Sequence, residues 1–227
     1  MKDIRTITLD LDDTLWEIHP VIRRAELRLY EWLGENYPRI TEMFTLEETR
    51  ELRACVVERH ADRAHDLTFL RHTILTEIAT AAGYSEFLVE EAFAVFDEER
   101  NDVDMFPEAR PTLVALRERF TLVALTNGNA NLEKIGIADL FDAHINAQMA
   151  GAAKPERPIF DAAVEAGGAS AGETLHVGDH PWFDVHGARQ AGLRTVWVNR
   201  NEQQWPDEYE APDIEVRHIG ELLELIG

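Results

Sequence analysis

Hydrophobic and polar residues follow two different patterns along this chain, with the change near residue 105. Between His19 and Asp104, apolar residues recur at spacings of three and four, which is typical of amphipathic helices. The pattern predicts four helices, within the segments VIRRAELRLYEWL, LEETRELRACVV, FLRHTILTEIATAA and FLVEEAFAVF. We expect breaks between them near Pro38, in the HDLT stretch and at residues 83–85, where residues that stop and start helices occur.

The rest of the chain alternates short apolar runs with helical segments. The first run spans Ile4 to Leu9, and the later ones are TLVALT, AHINA, TLHVG and RTVWV, followed by a short strand and helix in IEVRHIGELLELI. Strands that alternate with helices imply βαβ units and a parallel sheet. We therefore predict an α/β protein whose Rossmann-like parallel sheet core has helices on both faces.

The helical stretch interrupts this alternation, which predicts two domains. Residues 1–18 and 105–227 would form the sheet core, and residues 19–104 would form an all-helical domain inserted into it. With 227 residues, 45% of them hydrophobic, the chain is long enough to bury a sizeable core.

Two aspartates, Asp10 and Asp12, follow the first apolar run. Side chains two residues apart in a strand point to the same face, and ligands of open α/β sheets bind at the carboxyl ends of the strands. We expect both carboxylates to share one site at that edge. The alternative is an acidic turn after an edge strand, since aspartate is a common turn residue.

Three later stretches place polar residues at similar boundaries. Thr126 and Asn127 end TLVALT, Lys154 precedes a proline and a predicted helix in GAAKPERPIF, and Asp179 ends TLHVGD, with Asp184 five residues later. Each stretch taken alone has a simpler interpretation. These are a turn, a solvated lysine, and a helix start whose dipole Asp184 stabilises.

Taken together and in this order, the four stretches resemble the four motifs of the haloacid dehalogenase superfamily of phosphohydrolases. The resemblance implies an enzyme that hydrolyses phosphate monoesters with Mg²⁺ as cofactor. It makes Asp10 the nucleophile and a metal ligand, and Asp12 the general acid and base, which also binds the metal through its backbone carbonyl. Asp179 would complete the protein ligands of the metal.

The resemblance also assigns the remaining motif residues. Thr126 would donate a hydrogen bond to the phosphoryl oxygens with the Asn127 backbone N–H nearby, in the manner of an oxyanion hole. Lys154 would hold the nucleophile and the phosphoryl group together. Asp184 would either contact metal-bound water or orient Lys154.

The chemistry explains why these residue types are needed. An aspartate can form an aspartyl phosphate, while a second carboxyl group protonates the leaving oxygen and later activates water. A phosphate among carboxylates is repelled by about 4 kcal/mol per pair of unit charges at 4 Å, for an effective dielectric near 20. Mg²⁺ and a lysine would offset this repulsion.

By the same resemblance, the inserted helices form a C1 cap that closes over the substrate. The stretch AHDLTFLRH offers His65, Thr68 and Arg71 as substrate contacts, although Asp66 or Thr68 could instead cap the following helix. Trp16 is a further candidate, which either lines the site or packs at the connection to the cap.

A finer similarity involves LDLDDTLW, HPVIRRAE, HDLT, TNGNA and LHVGD. These segments are similar to bacterial phosphatases of flavin mononucleotide (FMN) and of the phosphorylated ribityl-pyrimidine intermediate of riboflavin synthesis. We therefore expect a small phosphorylated metabolite as substrate, with FMN or a ribityl phosphate as candidates, and Trp16, Phe69 or Trp182 near its ring. The alternatives are a phosphomutase, a haloacid dehalogenase and a noncatalytic binding protein. Asp12 argues against dehalogenation, because a departing halide needs no proton.

Charge excludes some partners. The chain has 43 acidic and 22 basic residues and a net charge of −21, which disfavours binding to nucleic acid and to anionic membranes. No apolar run approaches the length of a membrane span or a secretory signal, so we expect a soluble cytoplasmic protein. The sequence does not indicate the oligomeric state.

The cysteine and histidine patterns add little chemistry. Cys55 is the single cysteine, which excludes an intramolecular disulfide, and we expect it to pack as a small apolar residue in a helix. His176 and His180 are four residues apart but span a strand and a loop, so we do not expect a zinc pair.

Overall fold

A parallel sheet organises one part of the protein, whose computed structural model describes residues 3–226. Within these residues, six strands pair in the order β3-β2-β1-β4-β5-β6, and every pairing is parallel. The strands are β1 (Thr6–Leu9), β2 (Thr121–Thr126), β3 (Ala143–Asn146), β4 (Thr174–Gly178), β5 (Arg194–Val198) and β6 (Ile214–Val216).

The central strands are buried on both faces. Every residue of β1 and of β4 is buried, which is typical of a parallel sheet covered on both sides. Val123 and Leu125 of β2 pack in one cluster with Ile159 and Phe160. The predicted α/β fold with a Rossmann-like parallel sheet is therefore confirmed.

Helices connect the strands. They are α6 (Ala109–Arg117), α7 (Leu132–Ile135), α8 (Ala147–Ala150), α9 (Arg157–Gly167), α10 (Gly187–Gln190) and α11 (Leu222–Leu225), numbered after the helices of the inserted segment. The chain runs from β1 to β2 and β3 on one side, then crosses to β4 on the other side of β1. Such a reversal of direction leaves a crevice at the carboxyl ends of the strands, where open α/β sheets bind ligands.

The inserted segment is helical. Its helices are α1 (Ile18–Asn36), α2 (Pro38–Met43), α3 (Leu46–Arg59), α4 (Leu67–Ala81) and α5 (Leu88–Arg100). Four of them lie where the apolar periodicity predicts helices. The predicted break near Pro38 is confirmed, because α1 ends at Asn36 and a separate short helix, α2, begins at Pro38. The first position of a helix tolerates proline, whose missing N–H would have no partner in the helix.

Local hydrogen bonds define where these helices begin. The Thr45 hydroxyl accepts from the Glu48 N–H, and the Glu48 carboxylate accepts from the Thr45 N–H, so a capping box begins α3. The Asp66 carboxylate accepts from the Phe69 N–H at 2.9 Å and begins α4. Asp66 is therefore the cap of α4, which is the alternative to a substrate contact in the AHDLTFLRH stretch.

The chain divides into two compact units. Residues up to Glu17 and from Asp104 onward form the sheet unit, and Ile18–Val103 form the helical unit, against predicted limits of 18 and 105. The helical unit has its own core, to which α1, α4 and α5 contribute Leu29, Leu75 and Phe96 among others. None of the helices within residues 3–226 combines the length and the apolar character needed to cross a membrane.

Cys55 does not pack as predicted. It lies in α3, as expected, but its side chain is exposed. The reason is that Val56 is the buried residue of this helix, so the neighbouring position faces outward.

Candidate active site

Asp10 lies at the carboxyl end of the central strand. Its backbone N–H donates to the Val177 carbonyl at 2.9 Å, which continues the pairing of β1 with β4 by one residue. The residue is 6% exposed. One carboxylate oxygen lies 2.5 Å from the Lys154 ammonium group, and the other lies 3.5 Å from the Thr14 hydroxyl. Asp10 is therefore a buried carboxylate with a lysine against it.

A turn rather than a strand positions Asp12. The strand ends at Leu9, and Asp13 adopts a left-handed conformation with φ of 61°, which aspartate tolerates better than most residues. The Trp16 indole N–H donates to Asp12 Oδ1 at 2.9 Å. The position of the Asp12 carboxylate therefore does not follow from strand alternation, contrary to the expectation. It is set by the turn at Asp13 and by the hydrogen bond from the Trp16 indole.

Trp16 is fully buried, with no exposed surface. Trp16 therefore does not line an open site. Of the two predicted positions, packing in the interior is the one that the structure has. Its backbone also forms an antiparallel bridge with Met105, and the two residues lie near the two connections to the helical unit.

Lys154 is buried, with 3% of its surface exposed. Its ammonium group donates to Asp10 at 2.5 Å, to Asp184 at 2.6 Å and to the Leu125 carbonyl at 3.2 Å. The Asn127 side chain accepts from the Lys154 N–H at 2.6 Å and donates to its carbonyl at 3.0 Å. The simpler interpretation of a solvated lysine is thus wrong. Asn127 fixes the backbone of Lys154 through its side chain, a contact that the motif pattern did not predict.

Thr126 ends β2 with a buried hydroxyl group. The hydroxyl oxygen accepts from the Gly128 N–H at 2.9 Å, so this stretch does form a turn. Accepting one bond leaves a hydroxyl proton to donate to another oxygen. The turn and the proposed phosphoryl contact are therefore compatible.

Asp184 is held by three donors. Its Oδ1 accepts from Lys154 at 2.6 Å and lies 3.1 Å from His176 Nε2, and its Oδ2 accepts from the His180 N–H at 2.9 Å. Gly178 makes room for this carboxylate, because a Cβ atom there would lie 2.3 Å from Asp184 Cγ. Asp184 was predicted either to contact metal-bound water or to orient Lys154. In the structure its carboxylate contacts Lys154 directly.

The loop that carries Asp184 is a wide helical turn. Over Pro181–His186 the backbone has π-helical geometry, with the Val185 N–H directed to the His180 carbonyl five residues back. Such turns occur frequently at functional sites. Trp182 in this turn is 38% exposed and stacks on His186, with ring centroids 4.4 Å apart.

Burial and neighbouring charges raise the pKa values of Asp10 and Asp179. Burial raises the pKa of Asp10 to about 7; Lys154 opposes this shift and the charge of Asp184 adds to it. Burial, followed by the charges of Asp184, Asp10 and Asp13, raises the pKa of Asp179 to about 8. The charge of Asp13 therefore also acts on this site, although none of the four motifs assigns it a role.

The ion pair of Lys154 with Asp184 shows the opposite shifts. Burial alone would raise the pKa of Asp184, but the Lys154 ammonium and the hydrogen bond from His176 lower it below its usual range. Burial alone would lower the pKa of Lys154, but Asp10 and Asp184 raise it above its usual range. Both partners are therefore charged at neutral pH.

The carboxylate oxygens of Asp10, Asp179 and Asp184 lie within 4.8 Å of one another. Among residues 3–226, no hydrogen-bond donor contacts the Asp179 carboxylate, whose backbone carbonyl accepts from the Trp197 indole at 2.7 Å. Burial and the neighbouring carboxylates disfavour ionisation of Asp10 and Asp179, which a bound cation would favour. This set of hard oxygen donors fits a divalent cation.

The predicted substrate contacts from the inserted segment lie in the helical unit. His65 precedes α4, and Thr68 and Arg71 belong to that helix. The Arg71 guanidinium lies 3.9 Å from the centroid of the Phe96 ring, and burial lowers the pKa of Arg71 to about 10. The Phe69 ring lies under the Arg63 guanidinium, 3.4 Å from its centroid.

Comparison with known proteins identifies the family. A model of haloacid dehalogenase-like hydrolases matches residues 4–192. The chain belongs to this family. The family membership predicted from the four motifs is confirmed, and haloacid dehalogenase-like hydrolases generally use a divalent metal, for which the acidic cluster offers ligands.

Relatives within the family have different activities. The chain is 33% identical to 5-amino-6-(5-phospho-D-ribitylamino)uracil phosphatase YigB of Escherichia coli, over 98% of the chain and 96% of that protein. It is 34% identical to a phosphoserine phosphatase of Thermus thermophilus, over 67% of the chain and 63% of that protein. A 2-haloacid dehalogenase of Pseudomonas syringae has the same fold, with a TM-score of 0.93 and 36% identity over 98% of each chain.

Metal binding to this hydrolase should depend strongly on pH. Because the pKa values of Asp10 and Asp179 are raised to about 7 and about 8, protons compete with the metal below those values. We expect Mg²⁺ to bind on the order of 10²-fold more weakly at pH 6 than at pH 8. Thermal unfolding with and without Mg²⁺ at both pH values should show the larger rise in midpoint at pH 8.

The direction of the pH effect on stability follows from the linkage between proton binding and folding. Without metal, the folded state becomes less stable as the pH rises from the usual aspartate pKa of 3.8 through the raised values of about 7 and about 8, because these carboxyl groups ionise less readily in the folded chain. Asp179→Asn should reduce the Mg²⁺ effect at pH 8, and Asp139→Asn, which changes an exposed carboxylate, should not. An equal Mg²⁺ effect at both pH values would contradict the prediction.

Proposed function

We propose that this hydrolase removes phosphate from a small phosphorylated metabolite, with Asp10 as covalent nucleophile and Mg²⁺ as cofactor. The observation that carries the proposal is the buried Lys154 ammonium, 2.5 Å from Asp10 and 2.6 Å from Asp184. The carboxylate of Asp179 lies beside this pair. A carboxylate held by a lysine next to oxygen ligands for a cation suits attack on phosphorus in an anionic substrate.

In the first half of the reaction, a carboxylate oxygen of Asp10 forms a bond to phosphorus. The bond from phosphorus to the leaving oxygen breaks, and that oxygen takes a proton from the Asp12 carboxyl group. The Thr126 hydroxyl and the Asn127 backbone N–H donate hydrogen bonds to the phosphoryl oxygens. The Trp16 indole keeps the Asp12 carboxyl group oriented through its bond of 2.9 Å.

In the second half, Asp12 takes a proton from water as the water oxygen attacks phosphorus. The bond from phosphorus to Asp10 breaks, which releases phosphate and restores the carboxylate. Mg²⁺ held by Asp10, Asp179 and the Asp12 carbonyl would neutralise charge on the phosphoryl group. Asp184 serves this chemistry by holding Lys154 rather than by touching the substrate.

The helical unit would act as a C1 cap in this scheme. The insertion of Ile18–Val103 between β1 and β2 supports this, because the segment starts soon after the residues that carry Asp10 and Asp12. His65, Thr68 and Arg71 would contact the part of the substrate that does not react. Closure of such a lid excludes water and strengthens the electrostatic interactions within the site.

A phosphorylated ribityl compound or FMN is the substrate class we propose. The similarity to YigB supports it, since that relative covers 98% of the chain and its name specifies a phosphorylated ribitylamino-pyrimidine. A haloacid dehalogenase is the second candidate, because the Pseudomonas syringae structure with that name is 36% identical to this chain. Asp12 distinguishes the two, since loss of a halide needs no general acid.

A panel of substrates tests the reaction class. We expect Mg²⁺-dependent phosphate release from FMN and ribityl phosphates at higher kcat/KM than from phosphoserine or sugar phosphates, and no halide release from 2-chloropropionate. Chelation of the metal should abolish phosphate release. Halide release that persists after chelation would favour the dehalogenase, and phosphate release without preference for ribityl compounds would contradict the substrate class alone.

Asp12→Asn separates the two halves of the reaction. p-Nitrophenolate leaves without protonation, so this variant should still transfer the phosphoryl group to Asp10 but hydrolyse the product slowly. Rapid mixing with p-nitrophenyl phosphate should show a burst of nitrophenolate close to the enzyme concentration, then a steady rate lower by about 10²- to 10⁴-fold. Asp10→Asn should show no burst, and Asp139→Asn should resemble the wild type. A wild-type steady rate in Asp12→Asn would contradict the assigned role.

A further inference from the structure

A row of buried polar side chains leads away from the candidate nucleophile into the sheet unit. Beyond Lys154 and Asp184 it includes His176 of β4 and Thr8 of β1. Thr8, His176 and Asp184 are each at most 1% exposed. Strand interiors are normally apolar, so two polar residues inside adjacent central strands need an explanation.

Strand geometry brings these groups together. Thr8 and His176 are paired in the register of β1 with β4. Side chains of His176 and Gly178 point to the same face of β4, because they are two residues apart. Gly178 has no side chain, so the Asp184 carboxylate occupies that space, within reach of the His176 ring.

The hydrogen-bond directions follow from the partners. Asp184 is an ionised carboxylate and accepts only, so His176 Nε2 donates to its Oδ1 at 3.1 Å. In the neutral ring, Nδ1 then accepts from the Thr8 hydroxyl at 2.8 Å. The Phe160 ring meets the imidazole edge-on, with 5.4 Å between centroids and 87° between planes, and so restricts its rotation.

We propose that His176 is a positioning residue for the reaction, which holds the Asp184 carboxylate so that Asp184 in turn keeps the Lys154 ammonium against Asp10. The inference rests on the proposed function. His176 does not touch the reacting atoms, and its effect passes through the bonds of 3.1 Å to Asp184, 2.6 Å to Lys154 and 2.5 Å to Asp10. Partners that orient such groups typically contribute about 10- to 100-fold to activity.

Substitutions at His176 test the donor directly. His176→Phe keeps a ring of similar shape but removes the N–H, and His176→Gln retains an amide N–H at a similar distance from the backbone. With p-nitrophenyl phosphate and Mg²⁺, we expect kcat of His176→Phe to fall by about 10- to 100-fold, with KM changed by less than about 3-fold. His176→Gln should recover most of the lost kcat, which a purely structural role would not predict.

Two further variants complete the test. Thr8→Val preserves shape and removes the partner of Nδ1, so kcat should fall in the same direction but less than in His176→Phe. His144→Phe is the matched control, because His144 is a partly buried histidine on β3, an edge strand of the same sheet, and its kcat should equal that of the wild type. Thermal midpoints of all variants show which ones are folded.

The outcomes are distinct. A folded His176→Phe with wild-type kcat, or a His176→Gln no more active than His176→Phe, overturns the inference. If His176→Phe does not fold, near-wild-type kcat in His176→Gln with reduced kcat in Thr8→Val supports it, and any other combination overturns it. Activity in Asp10→Asn would instead remove the proposed function itself, so the two failures can be told apart.

Discussion

The buried ammonium group of Lys154 is the interaction on which the rest of this site depends. It lies between the carboxylates of Asp10 and Asp184, at 2.5 and 2.6 Å, where solvent hardly reaches it. A charge in such a place is costly unless it is paired and hydrogen-bonded. The surrounding structure meets this condition, because Asn127 fixes the Lys154 backbone and the Leu125 carbonyl accepts the third N–H bond.

The same arrangement leaves two carboxyl groups that a bound cation would help to ionise. Lys154 and Asp184 stabilise each other as ions, whereas Asp10 and Asp179 have pKa values raised to about 7 and about 8. Their ionisation requires positive charge beyond the one ammonium group, and the donor set is one that Mg²⁺ prefers. A metal bound there would keep Asp10 ionised and nucleophilic at neutral pH, which links metal affinity to the chemistry.

Much of the fold could be predicted because its signals are local. Apolar runs marked the central strands, and polar residues at their carboxyl ends marked Asp10, Thr126 and Asp179. Other features depend on contacts between distant segments. Trp16 bonds to Asp12 where the chain turns at Asp13, and the aspartates indicate a turn there but not the indole that bonds to Asp12.

His176 shows what a closer examination of the sequence could have found. Its spacing from His180 does not indicate a zinc pair, but a histidine in the middle of the apolar run TLHVG is a buried polar group that requires partners. The partners themselves could not be predicted, since Thr8 is 168 residues away and meets His176 through strand register. Substrate choice is still further from the sequence, because in the proposed scheme it would depend on contacts from the helical unit rather than on the motifs.

The most direct test of the account is to locate the phosphoryl group during turnover. Wild-type enzyme with Mg²⁺ and a phosphorylated substrate would be quenched in acid, digested and mapped by peptide mass spectrometry. The account predicts phosphate on the peptide that contains Asp10, and its loss when quenching follows substrate exhaustion. Phosphate on another residue would contradict the claim that the carboxylate held by Lys154 is the nucleophile, as would turnover with no phosphopeptide at any time.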